Sequence, residues 1–144
     1  RLMIANSDQF IDIDINTYLE KFDEQLLDGL IMTMYADDAK WSFVGLDQNQ
    51  LVKAVVEKKV ISNEATVGIY NFKKGKEFVS AAEEMISAKE RVNGEFYVAP
   101  VYNRLIDSGY KVGIFNVGSE GSGMYGLGTP SDLISFLTKD LDNI

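Results

Sequence analysis

Apolar and polar positions follow two different rhythms along this chain, and the switches between them predict its elements. Leu2 to Ala5 is a short unbroken apolar run that stops at the polar stretch Asn6 to Gln9. Runs of this kind mark strands covered on both faces, so a buried strand is expected there. From Asn16 to Gln25 the period lengthens: Tyr18, Leu19 and Phe22 fall on one helical face, while Lys21, Glu24 and Gln25 turn to water. Leu30 to Tyr35 is again almost wholly apolar and follows the turn residues Asp28 and Gly29. Strand, helix and strand in this order predict a right-handed parallel crossover.

Trp41 to Leu46 and Leu51 to Glu57 are strand-like and are separated by the polar turn DQNQ, which predicts an antiparallel hairpin. Thr66 to Phe72 is a further strand by its β-branched and aromatic content. Lys76 to Ala88 and Phe96 to Ile106 show helical spacing, with Gly94 as a break between them. Lys111 to Val117 predicts a strand and Gly118 to Gly123, GSEGSG, a flexible loop. A last helix is expected from the Thr129 cap, through Pro130 and Asp132, to about Lys139. The sum is an α/β chain without internal repeat or linker.

Composition narrows what such a fold does. The 144 residues suit one domain, 1–144, and 46% apolar content is enough for a core. Fourteen Lys plus Arg against 22 Asp plus Glu leave a net charge of -8, with no basic block to track a phosphate backbone, so nucleic acid is not an expected partner. No apolar run reaches the roughly 20 residues that span a bilayer, and no secretory leader pattern opens the chain. A protein of the cytoplasm is expected, and self-association into a homo-oligomer stays open.

The chain has neither cysteine nor histidine. Thiol nucleophiles, thiolate metal sites and the usual general base are therefore excluded. Phosphoryl-type transfer is not, because its catalysis is mostly positioning plus charge neutralisation by Mg²⁺ and cationic side chains. The apolar run beginning directly after Arg1 needs neighbours to cover it, which suggests a piece of a longer protein.

Candidate chemistry gathers at strand ends. Asp8 follows the first strand, where open α/β sheets bind ligands; it serves there either as a turn residue bonding its own backbone or as a Mg²⁺ ligand. Asp12 and Asp14, alternating with isoleucine, read as a solvated edge or loop without chemistry. Glu57, Lys58 and Lys59 close a strand; a lysine there meets an anionic phosphate as a point charge and a glutamate accepts sugar hydroxyls, or both simply solvate a strand end. Gly68 reads as a bulge or as a place of close approach. Glu95 reads as a carboxylate at a helix start. The GSEGSG loop lacks the Lys-Ser/Thr that would make it a phosphate cradle, and reads as a turn.

Taken in order, these stretches resemble the later part of the sugar-1-phosphate nucleotidyltransferases, the family that includes glucose-1-phosphate thymidylyltransferases. LMIANSDQ resembles the strand and loop bearing the family's metal aspartate, here Asp8. KWSFVGLDQNQLVKAVVEKK is similar to its hairpin ending in a Glu-Lys pair, here Glu57 and Lys58. SNEATVGIYNF resembles the following strand, whose Asn63, Thr66, Val67 and Gly68 would line the sugar pocket, and GEFYVAPVYNRLIDSG, with Glu95, and YGLGTPSDL resemble the last two blocks.

The resemblance implies a mixed, mostly parallel sheet flanked by helices, of the nucleotide-diphospho-sugar transferase kind. It implies a parent enzyme joining a sugar 1-phosphate to a nucleoside triphosphate with release of pyrophosphate, Mg²⁺ as cofactor, and polysaccharide precursor synthesis as the setting. The family's glycine-rich opening, which grips the triphosphate, has no match, so roughly a hundred residues are expected before Arg1, the size of a small domain, and little activity is expected from this part alone. Gly126 stands where the family's second metal aspartate is usual, Lys59 where proline is usual, and Ser42 where glycine is usual. A metal-dependent glycosyltransferase of related fold and a non-catalytic sugar-nucleotide-binding relative are the alternatives.

Overall fold

The computed structural model of the chain describes residues 1–139; residues 140–144 of the expected domain lie outside the described residues. Eight strands and four helices follow in the order β1 (Leu2–Ala5), β2 (Gln9–Ile11), α1 (Ile15–Glu24), β3 (Gly29–Tyr35), β4 (Ser42–Leu46), β5 (Val52–Glu57), β6 (Glu64–Phe72), α2 (Gly75–Ser87), α3 (Val101–Asp107), β7 (Val112–Glu120), β8 (Gly123–Gly126) and α4 (Pro130–Leu137). The strands form one sheet in the order β2-β8-β7-β3-β6-β4-β5, with β1 attached to β6 beside it.

Helices cover both faces. On β3, Leu30, Met32 and Met34 join Tyr18 and Phe22 of α1 on one side, with Phe43, Ala65, Val67 and Met124. Ile31 points the other way, into a second core where Phe72 meets Met85 of α2 and Tyr102 and Leu105 of α3. The spacing of Tyr18 and Phe22, one turn apart, is what turns α1 onto the sheet. Asp14 caps it, accepting from the Asn16 N–H at 2.9 Å, so one of the two aspartates read as plain solvation starts a helix. In the other core Tyr102 stacks on Phe72, centroids 4.5 Å apart, and its hydroxyl donates to the Asn71 carbonyl at 2.9 Å.

The mixed α/β sheet flanked by helices agrees with expectation, as do the β4–β5 hairpin and the Thr129 cap of α4. Its balance differs: β3–β7 and β7–β8 are parallel, and the other five pairings are antiparallel. The cause is β6, which runs antiparallel between β3 on one side and β1 and β4 on the other. For the same reason the expected crossover is modified: β1 and β3 point the same way but are separated by β6. β1 is not the buried strand its composition suggests. It pairs with β6 alone, and its residues alternate between half-buried and exposed, Met3 being 47% exposed.

Two further expectations change. The helix over Phe96 to Ile106 begins only at Val101, with Pro100 at its cap; Pro100 disfavours helical backbone at the residue before it, and 96–99 is irregular. Glu95 thus stands in a small bridge with Val92 rather than at a helix start. GSEGSG is the end of β7, a tight turn and the start of β8. Two of its glycines are steric necessities, since a Cβ on Gly118 would fall 2.3 Å from the Ser122 carbonyl oxygen and one on Gly123 1.7 Å from the Val117 carbonyl oxygen. Among the described residues no helix is long and apolar enough to cross a membrane.

Candidate functional site

The cleft of interest, about 400 Å³, opens where β5 ends beside the middle of β6. Glu57, Lys58, Thr66, Val67 and Gly68 all line it, so the sequence-predicted residues of β5 and β6 come together. Asn6 reaches it from the loop after β1, Lys40, Trp41 and Ser42 from the start of β4, and residues 96–99 form its far wall.

Several local features aim these groups. α3 holds the outer edge of β5: the Asn103 side chain donates to the Val55 carbonyl and accepts from the Val55 N–H, both at 2.8 Å, imitating a missing strand. At the strand's end Ser42 and Glu57 are directly opposed, and the Ser42 hydroxyl donates to the buried Glu57 carboxylate. The next residue, Lys58, turns off in the left-handed region, φ 54°, with its N–H bonded to the Trp41 carbonyl at 3.1 Å. Of the five described non-glycine residues in that region, Lys58 is the one that lines the cleft, and such a backbone persists only where its surroundings impose it.

Gly68 serves as both a bulge and a place of close approach. Ile31 pairs with Tyr70 and Thr33 with Thr66, so the β6 segment bulges between them, and Gly68 sits there with φ 77°. A Cβ on it would lie 2.2 Å from the Asn6 side-chain nitrogen, and its carbonyl accepts from the Asn6 N–H at 2.9 Å. Glycine thus lets the β1 loop reach the cleft.

The cleft carries positive charge at its rim and a carboxylate inside. The Tyr97 hydroxyl, with Glu57 and Glu95 beyond it, raises the Lys58 ammonium above the ordinary lysine value, so it is charged at neutral pH. Lys40 lies 4.8 Å from the Trp41 ring centroid and 3.4 Å from Glu120. At the floor Tyr70 shares a 3.0 Å hydrogen bond with Thr66, and burial pushes its phenol up to about 12.

Asp8, Asn63 and Glu95 are not among the lining residues. Asn63 is exposed at the start of β6, where its carbonyl accepts from the Ala36 N–H at 3.2 Å. Glu95 stands one residue away from the wall, accepting from the Tyr97 hydroxyl at 2.7 Å. Asp8 lies beyond Asn6, exposed, its carbonyl accepting from the Leu127 N–H at 2.8 Å and its carboxylate 2.9 Å from the place a Cβ on Gly128 would take. Gly126 pairs with Gln9, the residue after Asp8, so the two positions that carry carboxylates in the resembled family are spatial neighbours here. Among the described residues no group of three His, Cys, Asp or Glu is placed to hold a metal. Exposed Asp8 offers a single carboxylate there; Mg²⁺, which takes one or two carboxylates together with waters and phosphate oxygens, would fit such a donor set only beside a bound phosphate.

Sequence reasoning missed Asn6, Trp41, Tyr70 and Tyr97. The sequence pattern marks Trp41 and Tyr70 only as strand residues and places Tyr97 inside an expected helix.

No family model matches the sequence, and no curated protein matches it. Solved structures do match its fold. A nucleoside-diphosphate-sugar pyrophosphorylase from Vibrio cholerae RC9 superposes with a TM-score of 0.76 at 24% identity, over 96% of this chain and 58% of its own. A structure from Bacillus anthracis, described as a glucose-1-phosphate thymidylyltransferase in complex with a sucrose, does so with a TM-score of 0.72 at 22% identity, over 96% and 55%. The chain therefore has the fold seen in these two proteins and spans a little more than half of their length.

Proposed function

We propose that this chain forms the sugar-phosphate half of a sugar-1-phosphate nucleotidyltransferase, which joins a nucleoside triphosphate and a sugar 1-phosphate into a nucleotide sugar and pyrophosphate. The observation that carries this reading is the convergence of Glu57, Lys58, Thr66, Val67 and Gly68 on one cleft, in a fold shared with a pyrophosphorylase and a thymidylyltransferase.

In this reading an oxygen of the sugar phosphate attacks the α-phosphorus of the triphosphate in line, the bond to the β-phosphate oxygen breaks, and pyrophosphate leaves. A phosphate already ionised at neutral pH needs no proton removed, so a chain without histidine loses nothing. Lys58 holds the incoming phosphate as a fixed cation. Glu57, anchored by Ser42, accepts from sugar hydroxyls with the carboxylate capacity the serine leaves free. Val67 and Gly68 present the bulged β6 backbone to the sugar, beside the Asn6 amide that fills the space next to Gly68. Asp8 would hold Mg²⁺, which when bound offsets phosphate charge. Preorganised groups of this kind are worth several kcal/mol of barrier, roughly 3–4 for one oriented donor. The triphosphate grip and the cytoplasmic, polysaccharide-precursor setting belong to the parent protein that the resemblance implies.

A second reading, a non-catalytic sugar-nucleotide-binding relative, is favoured by Gly126, which leaves Asp8 without the second carboxylate. One titration serves both. Trp41 is the chain's single tryptophan and lines the cleft, so its emission reports occupancy. Glucose 1-phosphate is expected to change it with a Kd on the order of 0.1 to 1 mM, within the ordinary range of KM values. No response at saturating ligand would remove the function. Binding of a nucleoside diphosphate sugar that is indifferent to Mg²⁺ favours the second reading, and Mg²⁺-dependent pyrophosphate release from a protein carrying the remaining half favours the first.

A further inference from the structure

Between α2 and α3 the chain makes a strap that borders the cleft. Val92 and Glu95 exchange backbone hydrogen bonds of 2.9 and 3.0 Å around Asn93 and Gly94, both at positive φ, 49° and 84°. The Arg91 guanidinium packs 4.0 Å from the Phe96 ring centroid and donates to the Gly94 carbonyl at 2.8 Å. The strap is thus internally bonded, and it delivers Tyr97 to a particular place. One side of Tyr97 walls the cleft, and the other walls a second cavity of about 370 Å³ that also touches Glu57 and Glu95. The Lys58 ammonium lies 5.3 Å from the Tyr97 ring centroid, while the Tyr97 hydroxyl donates to Glu95 at 2.7 Å.

We propose that Tyr97 is a positioning residue that holds the Lys58 ammonium at the cleft, so that the 91–99 strap belongs to the anion-recognition apparatus; this rests on the reading of the cleft as a sugar-phosphate site. The backbone of Lys58 is fixed by its bond to Trp41, but a lysine side chain is otherwise free, and ordering it when a ligand arrives costs entropy. A ring face that already carries the ammonium removes part of that cost. Glu95 fixes the ring through its hydroxyl, which gives that carboxylate a role without contact with the ligand.

The test compares Tyr97→Phe, which keeps the ring but removes the hydroxyl that Glu95 and the Lys58 ammonium both feel, with Tyr97→Leu, which removes ring and hydroxyl together. Trp41 emission is titrated with glucose 1-phosphate and with uncharged glucose, and the Lys58 side-chain methylene resonances, assigned by their loss in Lys58→Ala, report the ring's proximity. Tyr97→Leu is expected to weaken glucose 1-phosphate about five- to tenfold and Tyr97→Phe about two- to threefold, the scale of a partly exposed cation–ring contact. Glucose should be unaffected, and the ring-current displacement of Lys58 should vanish in Tyr97→Leu and persist in Tyr97→Phe. Affinity for glucose 1-phosphate within twofold of the parent in Tyr97→Leu overturns the inference, as does a parallel loss for both ligands, which marks a structural role only. If the unaltered chain binds neither ligand, the function reading falls, and Lys58 resonances that do not respond to Tyr97→Leu then remove the positioning role separately.

Discussion

The Ser42 hydroxyl donates to the Glu57 carboxylate across the β4–β5 hairpin, at a directly opposed pair of the ladder. Glu57 is buried, and a buried carboxylate that loses its donor keeps its desolvation penalty. Ser42→Ala should therefore cost about 1.5–3 kcal/mol, the range for hydrogen bonds to charged groups. Glu57→Gln, which retains an acceptor oxygen for Ser42, should cost less. Urea unfolding of the three proteins measures both, and an alanine variant as stable as its parent would show that the serine contributes nothing to holding this carboxylate.

Gly68 and Asn6 make a second coupled pair. With φ 77° and a Cβ position 2.2 Å from the Asn6 side chain, Gly68→Ala is penalised by backbone and by collision. The expected loss is about 2–4 kcal/mol, combining a left-handed non-glycine residue with an overpacked contact. Asn6→Gly in the same background should recover the collision part but not the backbone part. Thermal melts of the four proteins in a double-mutant cycle decide it; strict additivity would mean that the two residues do not meet.

Much of this architecture can be read from local pattern, because hairpins and amphipathic helices write themselves into short stretches. Glu57 and Lys58 close a predicted strand and Gly68 lies within another, so their meeting follows once β4 joins β5 to β6. Edges are less legible: Leu2 to Ala5 has the composition of a covered strand, yet only the sheet order shows that β6 is its one partner. β2 and β8, of three and four residues, are too short for alternation to show. Residues 96–99 carry a false helical signal because Phe96, Ala99, Tyr102 and Ile106 happen to repeat at helical spacing, and the Pro100 stop outweighs that rhythm. Tyr97 faces the cleft by tertiary placement, for which no short-range signal exists.

The tyrosines predict an alkaline limit. Burial raises Tyr18 and Tyr102, and it pushes Tyr70 up to about 12, against about 10 for a free phenol. Each folded value is raised, so the folded chain holds its phenolic protons more tightly than the unfolded chain. The stability this linkage contributes is fully present below pH about 10 and is lost as pH rises, for Tyr70 through about 12. Tyrosinate absorbance should show these phenols lagging behind the exposed ones, with their ionisation coinciding with the loss of folded circular dichroism. All seven tyrosines titrating together near pH 10 in a chain that remains folded would contradict the buried placement.

Lys58 sets stability against function at one position. A lysine at φ 54° pays roughly 1–2 kcal/mol that glycine does not, part of which returns through the greater freedom of glycine in the unfolded chain. Its N–H bond to Trp41 survives either side chain. Lys58→Gly is thus expected to leave the chain as stable as before or to stabilise it by up to about 1 kcal/mol, while weakening glucose 1-phosphate binding. Lys58→Ala should weaken binding equally without the gain, because alanine keeps the backbone penalty. Chemical denaturation paired with Trp41 titration distinguishes the cases. A glycine variant that is destabilised and still binds would show that the lysine side chain supports the hairpin and takes no part in holding phosphate; a stable variant that no longer binds identifies the strained conformation as one retained for the ligand.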